Sequence, residues 1–238
     1  MRKNKKLRLF LLLIVLALLI IGCASFFPLI VMSPVATGQI ENTNIIAVRQ
    51  SMNSVFFVKT YDGYILIDAG SNERNLERAL QSVNINVNNV KWILLTHSDS
   101  DHVGALNLFP NAVIHMSKDE LPLINGTMNR NRSGGNNMPA GIDIDTIVLL
   151  SDGDELFVND TKVKCISAPG HTPGSMLYLI DDKYLFTGDA FMIRNRNISV
   201  HPFTIDSELS KETIERLRTV INNTQIVLTS HYGKHFNN

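Results

Sequence analysis

Between Asn44 and Gly233 the apolar residues fall into short blocks set apart by polar turn formers, and the blocks read first as strands. Ile45 to Arg49, Val55 to Thr60 and Tyr64 to Asp68 are the earliest, the last two joined through Tyr61-Asp62-Gly63 as a hairpin. The period then changes: Leu76, Leu80 and Val83 share one face of a helix over Glu73 to Val83. A strand over Val90 to Leu95 follows, then a short helix over Val103 to Phe109, a strand over Ala112 to Met116 and a helix over Ser117 to Ile124. The second half repeats the theme with strands at Thr146 to Leu150, Glu155 to Val158, Lys162 to Ile166, Met176 to Ile180 and Tyr184 to Thr187. Asp152-Gly153, Asn159-Asp160 and Asp181-Asp182 supply the turns. Leu209, Ile214, Leu217 and Val220 mark a helix over Glu208 to Ile221, before a last strand over Gln225 to Thr229. Strands, helices and strands again predict an α+β domain with layered sheets.

Two stretches break this rhythm. Asn125 to Gly141 is rich in glycine and asparagine and reads as a loop or lid, in which Arg130 and Arg132 are candidates to meet an anionic substrate. At the N-terminus, Arg2, Lys3, Lys5, Lys6 and Arg8 precede an apolar run, a membrane-targeting pattern and not part of the fold. Ile20-Ile21-Gly22-Cys23 resembles the lipobox of bacterial lipoproteins. The apolar character continues to Met32, which favours an uncleaved anchor of residues 1–32 over a signal peptide cleaved before a lipid-bearing Cys23. Either way the positive flank puts the remainder outside the cytoplasm. Ser33 to Thr43 is polar and reads as a linker to a domain over residues 44–238.

Composition narrows the partners. With the five basic residues of that leader set aside, 17 of the 22 basic residues remain against 22 acidic ones, a formal charge of about −5 that argues against a nucleic-acid surface. The other cysteine, Cys165, sits in an apolar strand, so the domain stands on burial and metal rather than on an intrachain disulfide.

The chemistry is concentrated in Thr96-His97-Ser98-Asp99-Ser100-Asp101-His102-Val103-Gly104, which follows the apolar run Trp92-Ile93-Leu94-Leu95. Two imidazoles and two carboxylates on so short a loop repel or compete unless a cation lies between them. Three later strand-to-loop junctions each add one ligand type: His171 in Ala168-Pro169-Gly170-His171-Thr172-Pro173-Gly174, Asp189 in Phe186-Thr187-Gly188-Asp189, and His231 in Leu228-Thr229-Ser230-His231-Tyr232-Gly233.

In that order the fragments resemble the metallo-β-lactamase superfamily, whose usual first motif is His-x-His-x-Asp-His; Asp99 stands where the second histidine is usual. The resemblance implies a four-layer αββα sandwich and two divalent metal ions. His97, Asp99 and His171 would hold one, Asp101, His102 and His231 the other, with Asp189 bridging. It also implies that Asp68, in Asp68-Ala69-Gly70, supports the site without being a ligand, and that Asp101 has a catalytic role beside ligation. Zinc is the first expectation; the extra carboxylate makes manganese or iron credible, since His97, Asp99 and His171 form a two-histidine, one-carboxylate set.

The implied activity is hydrolysis by a metal-activated hydroxide of an ester, thioester or lactone-type bond in a small molecule. A bridging aspartate resembles thioesterases of the glyoxalase II type, lactonases and phosphodiesterases more than the antibiotic-cleaving enzymes. Because the sequence stops seven residues after His231, glutathione thioesters are the weaker expectation within that group. The Asp99 variant also resembles competence-type DNA-uptake domains, which leaves an extracytoplasmic phosphodiesterase or nuclease as the rival. A metal-binding or sensing domain without turnover is the third reading. Arg194, Arg196, His201 and Tyr232 are the candidates for substrate contact.

Overall fold

The computed structural model describes residues 12–15, 32–130 and 138–237. It comprises two units, Met1–Met32 and Ser33–Asn238. Of the first, the helical turn at residues 12–15 is described, with Leu12 and Val15 exposed. The expected membrane segment otherwise lies outside the described residues, among which no helix is long and apolar enough to cross a membrane.

Period-two alternation builds the second unit. Strands β1 (Gly38–Gln39), β2 (Ile45–Gln50), β3 (Asn53–Lys59), β4 (Tyr64–Ile67), β5 (Val90–Leu94), β6 (Val113–Ser117) and β7 (Val148–Leu150) lie side by side in chain order in one sheet. The first four pair antiparallel and the rest parallel. Along β4, Ile65 and Ile67 face an inner core while Leu66 faces an outer one; Phe56 and Val58 against Val55 and Phe57 do the same on β3. One strand thus contributes to two cores, as the pleat requires.

The second sheet is built from β8 (Glu155–Val158), β9 (Thr161–Ser167), β10 (Met176–Ile180), β11 (Tyr184–Phe186), β14 (Ile226–Leu228) and β15 (Lys234–Phe236), in the order β15-β14-β11-β10-β9-β8. Met176, Tyr178 and Ile180 of β10 join the inner core, whereas Leu177 and Leu179 face outward. Between the sheets the Phe56 and Phe186 rings meet at 5.5 Å. Helix α1 (Glu73–Ser82), capped by the Asn72 side chain on Asn75 N, covers the first sheet with Leu76 and Leu80. Of the later helices, α2 (Ser100–Val103) and α3 (Leu121–Ile124) are single turns, and α4 (Ser207–Asn223) covers the second sheet with Ile214, Leu217 and Ile221. The layers are therefore helix, sheet, sheet, helix, as expected.

Local expectations fail where tertiary contacts decide. The helix expected over Val103 to Phe109 begins earlier, as α2 inside the ligand motif, and breaks at Gly104 before a 3₁₀ turn at Leu106–Leu108. A β-carbon on Gly104 would lie 2.4 Å from the Ser71 carbonyl, so the close chain approach at the end of α2 requires glycine. Part of the expected linker is folded: β1 pairs with β2, and Val35 and Ile40 are buried in the inner core. A hairpin, β12 (Met192–Arg194) with β13 (Asn197–Ser199), and the edge strand β15 were not expected. Their three-residue strands carry too little alternation to be seen.

Phe186 is fully buried at the centre of the inner core. Replacing it with alanine should cost ~3–5 kcal/mol of stability, read as a lowered midpoint of urea unfolding at unchanged slope.

Candidate metal centre

Strands β9, β11 and β14 run in one direction, because β10 pairs antiparallel with β9 and β11 while β11 pairs parallel with β14. Their C-terminal ends therefore open at the same edge of the second sheet, and from those ends come His171, Asp189 and His231. The motif loop after β5 is tied to this sheet by the Tyr178 hydroxyl, which donates to the Leu95 carbonyl at 2.7 Å, and by Met176 N, which donates to the Thr96 carbonyl at 2.9 Å.

Two buried carboxylates brace the loops from behind. Asp68, at positive φ just past β4, accepts from Thr96 N at 2.8 Å and from Thr96 Oγ1 at 2.8 Å, and contacts His102 Nδ1 at 2.8 Å. Glu120 is fully buried and accepts from Ser98 N at 2.8 Å, Ser98 Oγ at 2.7 Å, Thr172 Oγ1 at 2.8 Å and Gly174 N at 3.0 Å. It clamps the His97–Asp99 stretch to the His171 loop. Gly174 must be glycine for this, since a β-carbon there would lie 2.3 Å from Glu120 N.

The histidines are aimed by their outer nitrogens. Nδ1 of His97 meets Thr96 Oγ1 at 3.1 Å, that of His102 meets Asp68, and that of His231 meets the Met52 carbonyl at 2.6 Å. Each Nε2 then faces the shared space. Asp101 is held by its own carbonyl, which accepts from Asn53 Nδ2.

In that space His97 Nε2 and His171 Nε2 lie 3.4 and 3.3 Å from Asp99 Oδ2. Asp101 Oδ2 lies 3.3 Å from His231 Nε2 and 3.8 Å from His102 Nε2. Asp189 Oδ2 lies 3.2 Å from His231, 3.6 Å from His102 and 3.7 Å from His171. Ligand distances of ~2.0–2.2 Å in a tetrahedral site put donors about 3.4 Å apart, so the spacings are those of a divalent-ion site. Buried His97 Nε2, His102 Nε2 and Asp189 Oδ1 have no hydrogen-bond partner among the described residues, which is what vacant ligand atoms look like. The donor set suits divalent metal: the ligand atoms gather into four overlapping groups, of which His97–Asp99–His171 and Asp101–His102–His231 are the triads expected, while His97–His102–Asp189 and His171–Asp189–His201 share Asp189.

The electrostatics follow from burial among opposite charges. Burial opposes ionisation of Asp99 and Asp189, yet the neighbouring imidazoles hold both well below the usual carboxylate range. Asp101 is held down to about 2 against its burial, chiefly by His102 and His231. Conversely, burial opposes charge on His231, but Asp189 and Asp101 hold it up to about 10. His171 is pushed down to about 3 and His201 to about 4, both by burial first.

Of the other sequence candidates, His201 and Tyr232 come to the centre and the hairpin arginines do not. His201 Nε2 is 3.6 Å from Asp189 Oδ2, and its ring meets that of His171 edge-on at 4.7 Å. Tyr232 is buried with its ring 5.6 Å from that of His201. Arg194 and Arg196 are exposed on the β12–β13 hairpin, and Arg196 lines a surface hollow with Ile198, Asn222 and Phe236. Arg130 reaches inward and pairs with Asp99, while Arg132 lies outside the described residues. Sequence reading missed Glu120, because nothing in Lys118-Asp119-Glu120 marks which charge is buried. His115, stacked on Trp92 at 4.5 Å, is a core residue.

Glu120→Gln replaces an acceptor by an amide that offers donors to donors, and should cost ~2–3 kcal/mol in urea unfolding and speed metal loss to a chelator. His231 gives a pH dependence. Its metal-free form keeps a proton at neutral pH, because about 10 exceeds the ordinary 6.5, and a ligating metal must displace that proton. Metal affinity at the Asp101–His102–His231 triad should therefore rise with pH, by about tenfold per unit for each proton released, in chelator-competition titrations.

Comparison with known proteins agrees with this geometry. The family model described as the metallo-beta-lactamase superfamily matches residues 48–229. The chain is 24% identical to the "Probable metallo-hydrolase MJ0296" of Methanocaldococcus jannaschii, over 71% of each chain. It is 28% identical to the "Probable polyketide biosynthesis zinc-dependent hydrolase PksB" of Bacillus subtilis, over 61% of this chain and 58% of that one. A hydroxyacylglutathione hydrolase of Haemophilus ducreyi is 24% identical over 60% of this chain and 52% of its own. The chain thus spans little more than half the length of the last two relatives. Among solved structures, the subclass B3 metallo-beta-lactamase BJP-1 of Bradyrhizobium japonicum superposes with a TM-score of 0.61 over 83% of this chain and 78% of that one at 18% identity, a likeness of fold. By the family match and the ligand set together, the chain belongs to the metallo-β-lactamase superfamily and is a hydrolase of that fold.

Proposed function

We infer that this hydrolase cleaves an ester, thioester or lactone-type bond of a small molecule with two divalent ions, zinc first, held by His97, Asp99 and His171 and by Asp101, His102 and His231. The observation that carries the reading is the place of Asp189, whose Oδ2 lies within 3.7 Å of His102, His171 and His231 and so belongs to both triads. The hydroxyacylglutathione hydrolase among the relatives supports a carbonyl substrate, as its name is that of a thioesterase. The acidic balance of the domain disfavours a polyanion such as nucleic acid.

Divalent ions bound there would bring the pKa of a water toward about 7 and polarise the oxygen of the scissile bond. Asp101 handles the proton. Its side chain is 39% exposed, the most open of the ligand carboxylates, and it is ionised at neutral pH. It accepts a proton from the attacking water and returns it to the leaving alkoxide or thiolate as the acyl bond breaks. Two donors stand ready for the developing oxyanion. Phe203 N donates to His201 Nδ1 at 3.4 Å, which places the proton of the neutral imidazole on Nε2, the side facing the centre. Tyr232 Oη is buried without a partner among the described residues, and burial pushes it up to about 12, so it stays a donor.

The same proposal places the domain outside the cytoplasm, held by the basic and apolar N-terminal segment; the charges at Arg2, Lys3, Lys5, Lys6 and Arg8 support that orientation. To test the reaction, the protein is assayed against a lactone, a thioester and a bis-aryl phosphodiester. Turnover of either carbonyl substrate, reduced about 10²–10⁴-fold in kcat by Asp101→Asn, is the expected result. Turnover of the phosphodiester alone would replace the carbonyl reading with a phosphodiesterase.

A further inference from the structure

The two triads are not equivalent, because one already holds a cation. Arg130 Nη2 lies 2.8 Å from Asp99 Oδ2 and 3.1 Å from His171 Nε2, and also donates to the Phe203 carbonyl at 2.9 Å. The side chain is buried in this position. We propose that Arg130 is a built-in counter-ion of Asp99 that competes with metal for the His97–Asp99–His171 position, so that the chain binds its first metal ion at Asp101–His102–His231 and a second only weakly.

The argument is one of lone pairs and charge. A guanidinium has donors only, so its contact with His171 requires that Nε2 be the acceptor. An imidazole nitrogen has a single lone pair in the ring plane. Accepting from Arg130 and ligating a metal through His171 Nε2 are therefore mutually exclusive. A metal at ~2.1 Å from Asp99 Oδ2 would also lie no more than about 5 Å from Nη2, two positive charges in a buried space. Both contacts must break for the position to fill.

Charge explains why this cation is here. With histidine at position 99 the triad would be three imidazoles, with no anion to pair with a guanidinium. Asp99 supplies an anion, partly buried and sharing His171 with Asp189, which the guanidinium compensates in the metal-free state. Among the described residues the second position has no such occupant: Asp101 pairs there with His102 and His231, and Asp189 with those two and with His171 and His201, histidines in every case and no arginine or lysine.

This inference rests on the metal-dependent reading above, and one titration separates the two. The full chain, stripped with a chelator, is titrated with zinc against a chromophoric competitor and with cobalt followed by its visible absorption, alongside Arg130→Met and Asp99→His. Wild-type protein should take up one equivalent tightly and the second weakly. In Arg130→Met the second equivalent should tighten about tenfold or more, the effect of removing hydrogen bonds to a charged group. In Asp99→His, which frees the guanidinium without touching Arg130, the two equivalents should approach each other in affinity. Two equally tight equivalents in wild type, unchanged in both variants, would overturn the role of Arg130 and leave the hydrolase reading standing. Wild-type protein that binds neither ion would overturn both.

Discussion

Everything in this centre depends on carboxylates that never touch the metal space. Ligands hung from strand ends have freedom to turn away from one another, and three carboxylates drawn to one point have an electrostatic reason to do so. Asp68 and Glu120 remove that freedom. Each is a buried carboxylate whose oxygens are taken up by groups from the loops it holds: Asp68 gathers Thr96 and His102, and Glu120 gathers Ser98, Thr172 and Gly174. Charge-assisted bonds of this kind are short and directional, so they fix loops more firmly than packing alone.

The same accounting explains the tautomers and charges inside. His97, His102 and His231 each spend Nδ1 on a partner outside the centre and are left with one nitrogen to give. His171 has no such partner among the described residues, and its contact with Arg130 does that orienting from the front instead. The one ligand histidine not fixed from behind is thus the one that meets a cation.

How much of this was legible in the sequence follows the range of the interactions. The apolar runs Ile45–Arg49, Tyr64–Asp68 and Met176–Ile180 are local and marked strands, while the order of the layers was what the family resemblance implied. The ligand residues were legible because each motif is contiguous and lies at a strand end. Glu120 was not, because its four donors come from segments 22 to 54 residues away. The hairpin arginines, five and seven residues after Asp189, lie exposed on the β12–β13 hairpin, which turns at Asn195-Arg196 with both residues at positive φ, a placement the sequence did not mark. The start of α2 within the motif, instead of after it, was not legible from local periodicity, and neither was the close approach of Gly104 to Ser71 at its end.

The stretch that joins the leader to the domain has a mechanical meaning. Ser33 N donates to the carbonyl of His231 at 2.8 Å, the Val35 carbonyl accepts from Ser54 Oγ, and the chain enters the first sheet at Gly38. The first residues of the folded unit are therefore bonded directly to the loop that carries the candidate ligand His231. A displacement of Ser33 would therefore be felt first at the His231 loop, which makes the entry of the chain into the first sheet part of the frame around the candidate centre.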